Sequence, residues 1–201
     1  MVYTKALVIS FLIFLIGGSQ TPEGVKIGDN APDFNLKNVD GKMVSLNANK
    51  DAKGYIIVFT CNSCPYSEIY EDRIIALHQK YASRGYPVIA IQPNNPKIST
   101  GDSYLKMKER ANNKEFPFAY LIDTDNQETT KAYGATNTPQ VYIINKEATG
   151  FRVAYIGAID NNSRNPEAAT TKRYVENAVD ALLNGQSIET NSTKAIGCTI
   201  K

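Results

Sequence analysis

The chain has 201 residues, 42% of them hydrophobic and 21% charged, with a formal net charge of +2. That is ordinary for a globular protein and long enough to bury a core. The near-neutral balance, with no Lys/Arg block, gives no electrostatic footprint for nucleic acid or for a polybasic membrane anchor.

Met1 to Lys5 is short and carries one positive charge, Ala6 to Ile16 is an apolar run of 11 residues, and Gly17-Gly18-Ser19 follows. These are the three parts of an export signal, and the run falls short of the roughly 20 residues that span a membrane. Residues 1–20 are therefore predicted to be an export signal, cleaved or kept as an N-terminal anchor. Gln20 to Gly24 reads as a linker, 25–186 as one domain and 187–201 as a tail. The expected location is periplasmic or otherwise extracytoplasmic, with membrane contact only if the N-terminal segment is retained. Such a compartment permits disulfides. Three cysteines (Cys61, Cys64 and Cys198) leave at least one thiol unpaired, which argues for cysteines used as chemistry rather than as staples.

Ile27 to Leu36 and Met43 to Leu46 alternate loosely around Asp40-Gly41, predicting two short strands and a hairpin turn. Tyr55 to Thr60 is continuously apolar or aromatic, as in a central strand buried on both faces. Pro65 to Ala82 has helical spacing, with Pro65 in the first turn and Gly85 as a stop. Val88 to Ile91 is a second buried strand, so strand, helix and strand form a βαβ unit with parallel strands. Gln92 to Thr100 reads as a loop, Ser103 to Asn113 as a helix, Ala119 to Ile122 as a strand and Gln127 to Tyr133 as a short helix ending at Gly134. Thr138-Pro139 leads into a strand that ends at Ile144, Arg152 to Gly157 pairs antiparallel to it, and Thr171 to Leu183 is the last helix.

The first buried strand runs directly into Cys61-Asn62-Ser63-Cys64-Pro65. That layout sets a cysteine sulfur at a helix N-terminus, where free N–H groups and the helix dipole favour a thiolate. A thiolate with a second thiol in reach is the working part of a disulfide-exchange enzyme.

The C-x-x-C after an apolar strand, with Thr138-Pro139 before a later one, resembles the thioredoxin fold. Gly28-x-x-Ala31-Pro32-Asp33-Phe34-x-Leu36, Phe59-Thr60-Cys61, Cys64-Pro65-Tyr66 and Gly197-Cys198-Thr199-Ile200-Lys201 make the chain look most like the peroxiredoxin-like, AhpC/TSA-type group of that superfamily. The resemblance implies an α/β fold: a central mixed sheet flanked by helices, with an N-terminal hairpin extension. It implies Cys61 as nucleophile, Cys64 as the less exposed resolving thiol, and Pro139 as a cis-proline facing the pair. It also implies that the Thr138 backbone is free to pair with an extended substrate peptide. The activity implied is an exported thiol–disulfide oxidoreductase that reduces or isomerises protein disulfides. Its partners would be protein dithiol or disulfide substrates and an upstream electron-donor thiol protein. No cofactor is expected beyond a redox-active Cys61–Cys64 disulfide.

The chain departs from the thioredoxin pattern in places. Thr60 stands where thioredoxins carry Trp, and Tyr55 where they carry a buried acid, so proton transfer is unassigned. Glu68 and Glu71 are candidates, but their helix face reads as solvated. The uncharged Asn62-Ser63 pair favours a reducing couple over a strong oxidant. A thiol peroxidase is the enzymatic alternative. Peroxiredoxins place their reactive cysteine where Cys64 stands, with Thr or Ser three residues earlier and Pro four before that; this chain has Cys61 and Ile57 there. A non-catalytic binding module is the alternative of another class. A Cys₃His zinc site is excluded by spacing, since His78 lies 14 residues past Cys64 on the same predicted helix, about 21 Å at 1.5 Å per residue. Cys198 keeps two readings: a small apolar residue in a docked tail, or a third redox thiol pairing with Cys61 or with a partner.

Overall fold

The computed structural model describes residues 24–201; the export signal expected over 1–20 lies outside them. Strands are β1 (Leu36–Asn38), β2 (Met43–Val44), β3 (Gly54–Phe59), β4 (Val88–Gln92), β5 (Ala119–Ile122), β6 (Asn137–Thr138), β7 (Gln140–Glu147), β8 (Gly150–Gly157) and β9 (Cys198–Thr199). Helices are α1 (Pro65–Tyr81), α2 (Tyr104–Asn113), α3 (Glu128–Tyr133) and α4 (Tyr174–Leu183). Among the described residues seven strands form one sheet in the order β2-β1-β5-β4-β3-β7-β8, and β6 pairs with β9 in a small second sheet. This is the thioredoxin fold, as the resemblance implied.

Strand β3 is the axis. It pairs parallel with β4 and antiparallel with β7, and every residue in it is buried. Period-2 alternation sends its side chains to opposite faces. Ile56 and Val58 meet Tyr70, Ile74 and Leu77 of α1, Met107 of α2 and Val175 and Ala178 of α4. Tyr55, Ile57 and Phe59 meet Leu46, Tyr133, Tyr142 and Val153. A continuous apolar run without Pro is what such a two-sided strand requires. It begins at Gly54 because a Cβ there would fall 2.2 Å from the Ile144 carbonyl oxygen and 2.4 Å from the Tyr86 ring.

Strands β7 and β8 run on to Glu147 and from Gly150, past the expected Ile144 and Arg152, and two further boundaries differ from expectation. Of the first predicted strand, Ile27 to Leu36, only Leu36 lies in β1, which runs on to Asn38. Upstream, Gly28 and Ala31 donate to Val153 and Phe151 of β8 instead. Pro32, which has no N–H, then ends that pairing, and Asp33 turns the chain by accepting from the Phe34 and Leu46 N–H groups at 2.8 and 2.9 Å. The last helix starts at Tyr174 rather than Thr171, since Thr171 and Lys172 bond to the loop around Asn161 and Asn165. The 187–201 segment packs onto the domain. Ser192 bridges Ile156 of β8, and the Thr193 hydroxyl lies 2.7 Å from the Tyr155 hydroxyl and 2.9 Å from the Ala158 N–H donor.

Glu71 of α1 is buried, which corrects its expected place on a solvated face. Arg110 of α2 folds over it, donating from Nε at 2.7 Å and from Nη2 at 2.9 Å, and also reaches exposed Glu68 at 3.1 Å. The pair clamps the two helices together. Arg110→Ala leaves that carboxylate with Lys114 at 3.5 Å. The expected loss is about 2 kcal/mol, below the roughly 3–5 of a fully buried pair because Arg110 is partly exposed. Urea unfolding at pH 7 measures it, and an unchanged midpoint would show the clamp to be inert.

Candidate active site

Strand β3 ends at Phe59, and the chain crosses Thr60 to Asn62 before α1 starts at Pro65. Cys64, not Cys61, is therefore the N-cap of α1; Cys61 lies in the preceding loop, its N–H directed at the buried Ser67 hydroxyl at 3.4 Å. Both cysteines are 3% exposed. Opposite them the Thr138–Pro139 bond is cis, as expected for a proline facing the pair. The Thr138 hydroxyl sits 3.3 Å from Cys61 Sγ, and its carbonyl oxygen 3.2 Å from Cys64 Sγ.

The disulfide differs from the expected one. Cys64 is bonded to Cys198, and Cys61 is the free cysteine. The cause is register: β9 runs antiparallel to β6 with Cys198 opposite Thr138, which sets the Cα atoms of Cys64 and Cys198 6.0 Å apart. That separation is ordinary for a disulfide. Cys198 is thus a partner in the site rather than an apolar filler. The same register corrects a second expectation, because the Thr138 backbone is occupied by the chain's own β9. Gly197 allows this close approach: a Cβ there would fall 2.1 Å from the Thr138 carbonyl oxygen.

A residue that sequence reasoning passed over fixes the loop between the cysteines. Asp102 is fully buried. Its Oδ1 accepts the Asn62 and Ser63 N–H groups at 2.8 and 3.0 Å. Its Oδ2 accepts from the Ser63 hydroxyl at 2.5 Å, the Ser99 hydroxyl at 2.7 Å and Asn94 Nδ2 at 2.9 Å. Burial works to raise the Asp102 pKa, but the bonds from Ser63, Ser99 and Asn94 outweigh it and hold the carboxyl below its ordinary value. Asn94 also accepts the Lys201 N–H at 2.8 Å, so one network joins the cysteine loop to the 187–201 segment. The sequence signal was Asp102 itself, an acid inside Ser99-Thr100-Gly101-Asp102-Ser103, which reads as ordinary turn chemistry.

Behind Cys61 a cavity of about 10 Å³ is lined by Glu71, Ile74, Phe116, Phe118 and Tyr120 among others. Burial, reinforced by the charge of a Cys61 thiolate, pushes the Tyr120 phenol well above its ordinary pKa. It stays protonated and donates to Asn62 Oδ1 at 3.0 Å. Tyr55, at the position of the thioredoxin acid, donates to the Leu46 carbonyl at 2.8 Å. His78 accepts the Val88 N–H on Nδ1 at 3.2 Å, and burial lowers its pKa.

A family model described as the AhpC/TSA family matches residues 27–149. A crystal structure of an uncharacterized conserved protein from Geobacillus kaustophilus is 33% identical, with a TM-score of 0.79 over 91% of this chain and 93% of that one. A thioredoxin-family thiol:disulfide interchange protein from Chlorobium tepidum, 21% identical with a TM-score of 0.52 over 66% of this chain and 87% of that one, shares the fold. Among curated proteins, the chloroplastic phospholipid hydroperoxide glutathione peroxidase 1 of Arabidopsis thaliana is 28% identical over 104 residues. That match covers 50% of this chain and 44% of the relative, so it spans less than half of that protein's length.

Asp102→Asn turns an amide N–H₂ toward the Asn94 amide and the hydroxyl donors, with an expected loss of about 1–3 kcal/mol at neutral pH. The folded pKa of Asp102 is depressed. Its contribution is therefore full above the unfolded value of about 3.9 and is lost as pH falls through the folded value. Denaturation curves of variant and wild type should converge in that acid window. A constant gap down to the lowest pH would show that the carboxylate charge is not what holds the loop.

Proposed function

The chain belongs to the AhpC/TSA family, and from that premise we propose an exported thiol–disulfide oxidoreductase that reduces or isomerises protein disulfides through Cys61 and Cys64. One observation carries the reading: a free Cys61 faces the hydroxyl of Thr138, in a cis Thr138–Pro139 turn, beside a second cysteine already engaged in a disulfide. In the reduced protein the Cys61 thiolate attacks a substrate disulfide. The Cys64 thiolate then attacks Cys61 Sγ, and the reduced substrate leaves with the electron pair. A dithiol protein restores the enzyme.

Export rests on the N-terminal apolar run. The Thr138 turn and the Asp102-bound loop would orient the two sulfurs, with no cofactor taking part in the exchange.

A thiol peroxidase has one observation in its favour: Cys64, at the reactive position of peroxiredoxins, is the sulfur that carries the disulfide to a distant cysteine. Cys61 and Ile57 stand against it, where peroxiredoxins have Thr or Ser and Pro.

Insulin reduction coupled to a dithiol donor tests the choice. The wild type should be active and Cys61→Ser should fall to the uncatalysed rate. Full activity in Cys61→Ser would remove Cys61 as nucleophile. Hydroperoxide consumption that survives Cys61→Ser and disappears in Cys64→Ser would favour the peroxidase. Neither activity, with alkylation unchanged between oxidised and reduced samples, would leave a binding module.

A further inference from the structure

We propose that Cys198 is a third redox-active residue. It resolves the Cys61–Cys64 disulfide after turnover, and in doing so it lays β9 across the edge where a substrate strand would pair. The inference rests on the oxidoreductase reading and adds a step to it.

The geometry gathers three sulfurs around one residue. Cys61 Sγ is 3.3 Å from the Thr138 hydroxyl, Cys64 Sγ is 3.2 Å from its carbonyl oxygen, and Cys198 is its cross-strand partner. A disulfide serving only to staple the fold has no reason to consume the second cysteine of a C-x-x-C pair and leave the first free beside it. The pairing is also short. It comprises Asn137 with Thr199 and Thr138 with Cys198, supported by the Asn137 amide donating to the Gly197 carbonyl at 3.2 Å and the Ile200 N–H donating to the Thr136 carbonyl at 3.0 Å. A two-residue strand can lift without breaking the seven-stranded sheet once Lys201 releases its bonds to Asn94, Asn95 and Gln127.

The step balances without an outside oxidant. Turnover leaves Cys61–Cys64 oxidised. The Cys198 thiolate attacks Cys64 Sγ, the Cys64–Cys198 bond forms and the Cys61–Cys64 bond breaks. The electron pair stays on the Cys61 sulfur, which takes up the proton lost by Cys198. The donor dithiol then attacks Cys198, which is partly exposed whereas Cys64 is buried. Two thiols return to the enzyme and the donor leaves as a disulfide. With Cys198 reduced, β9 loses its covalent tether and the Thr138 edge opens to an incoming strand, which pairs by main-chain hydrogen bonds. Closure of the same edge after resolution keeps the released product from pairing again and hides the Cys61 thiol.

The full wild-type chain, equilibrated in glutathione buffers of graded poise, acid-quenched, alkylated and peptide-mapped, reports the linkages. The expected map splits the oxidised protein between Cys64–Cys198, the major form with Cys61 alkylated, and Cys61–Cys64, in one ratio at every poise, because the two are isomers at the same oxidation level. Gly197→Ala, which unseats β9 without touching a sulfur, should move the oxidised population toward Cys61–Cys64. Cys64–Cys198 that stays closed while Cys61 exchanges with glutathione would overturn the proposal. So would oxidised protein holding Cys61–Cys64 with Cys198 alkylated at every poise. Insulin reduction separates the two readings. Activity without exchange in the map overturns the relay alone. Exchange without activity supports the relay and overturns the protein-disulfide substrate.

Discussion

A buried carboxylate holds the reactive loop together. Asp102 gathers two backbone N–H groups, two hydroxyls and an amide from three separate stretches of chain. The N–H groups of Asn62 and Ser63, between strand and helix, find no partner in β3 or α1, and the buried carboxylate supplies one. A charged acceptor supplies stronger bonds than a neutral one. The position of Cys61 relative to Cys64 depends on a group about forty residues downstream, at the entrance to α2.

The second constraint is competition for one strand edge. In its cis-proline turn the Thr138 backbone pairs with an extended segment. Here the occupant comes from the same chain, and it fits because position 197 lacks a side chain that would strike the Thr138 carbonyl. Occupancy within one chain needs no encounter between molecules, so a free peptide competes at a disadvantage until the segment is released. On the proposed relay the edge is governed by chemistry at sulfur as well as by affinity.

Much of the frame was legible in sequence. Buried strands β3 and β4 declared themselves as apolar runs, α1 by its proline start and glycine stop, and the hairpin after β1 by Asp40-Gly41. These are local signals set by periodicity and backbone preference. What failed was long-range. Glu71 alternates with polar neighbours and reads as solvated, because nothing near it announces that Arg110 of another helix covers it. Asp102 looks like a turn residue for the same reason. The register of β9 against β6 joins residues 134 apart in sequence at the disulfide, and no periodicity in a five-residue motif encodes such a meeting. The site was half legible: the C-x-x-C and Thr138-Pro139 were, while the identity of the bonded pair needed the fold.

The odd number of cysteines has an arithmetic consequence. Three thiols within one chain can close a single disulfide at a time, so each molecule stores one pair of electrons and never two. Whichever bond is closed, one sulfur is left over. In this structure the remainder is Cys61, beside the closed bond. Oxidation of the chain by its own pairing can therefore never run to completion, and the molecule always retains a sulfur from which the next exchange can begin.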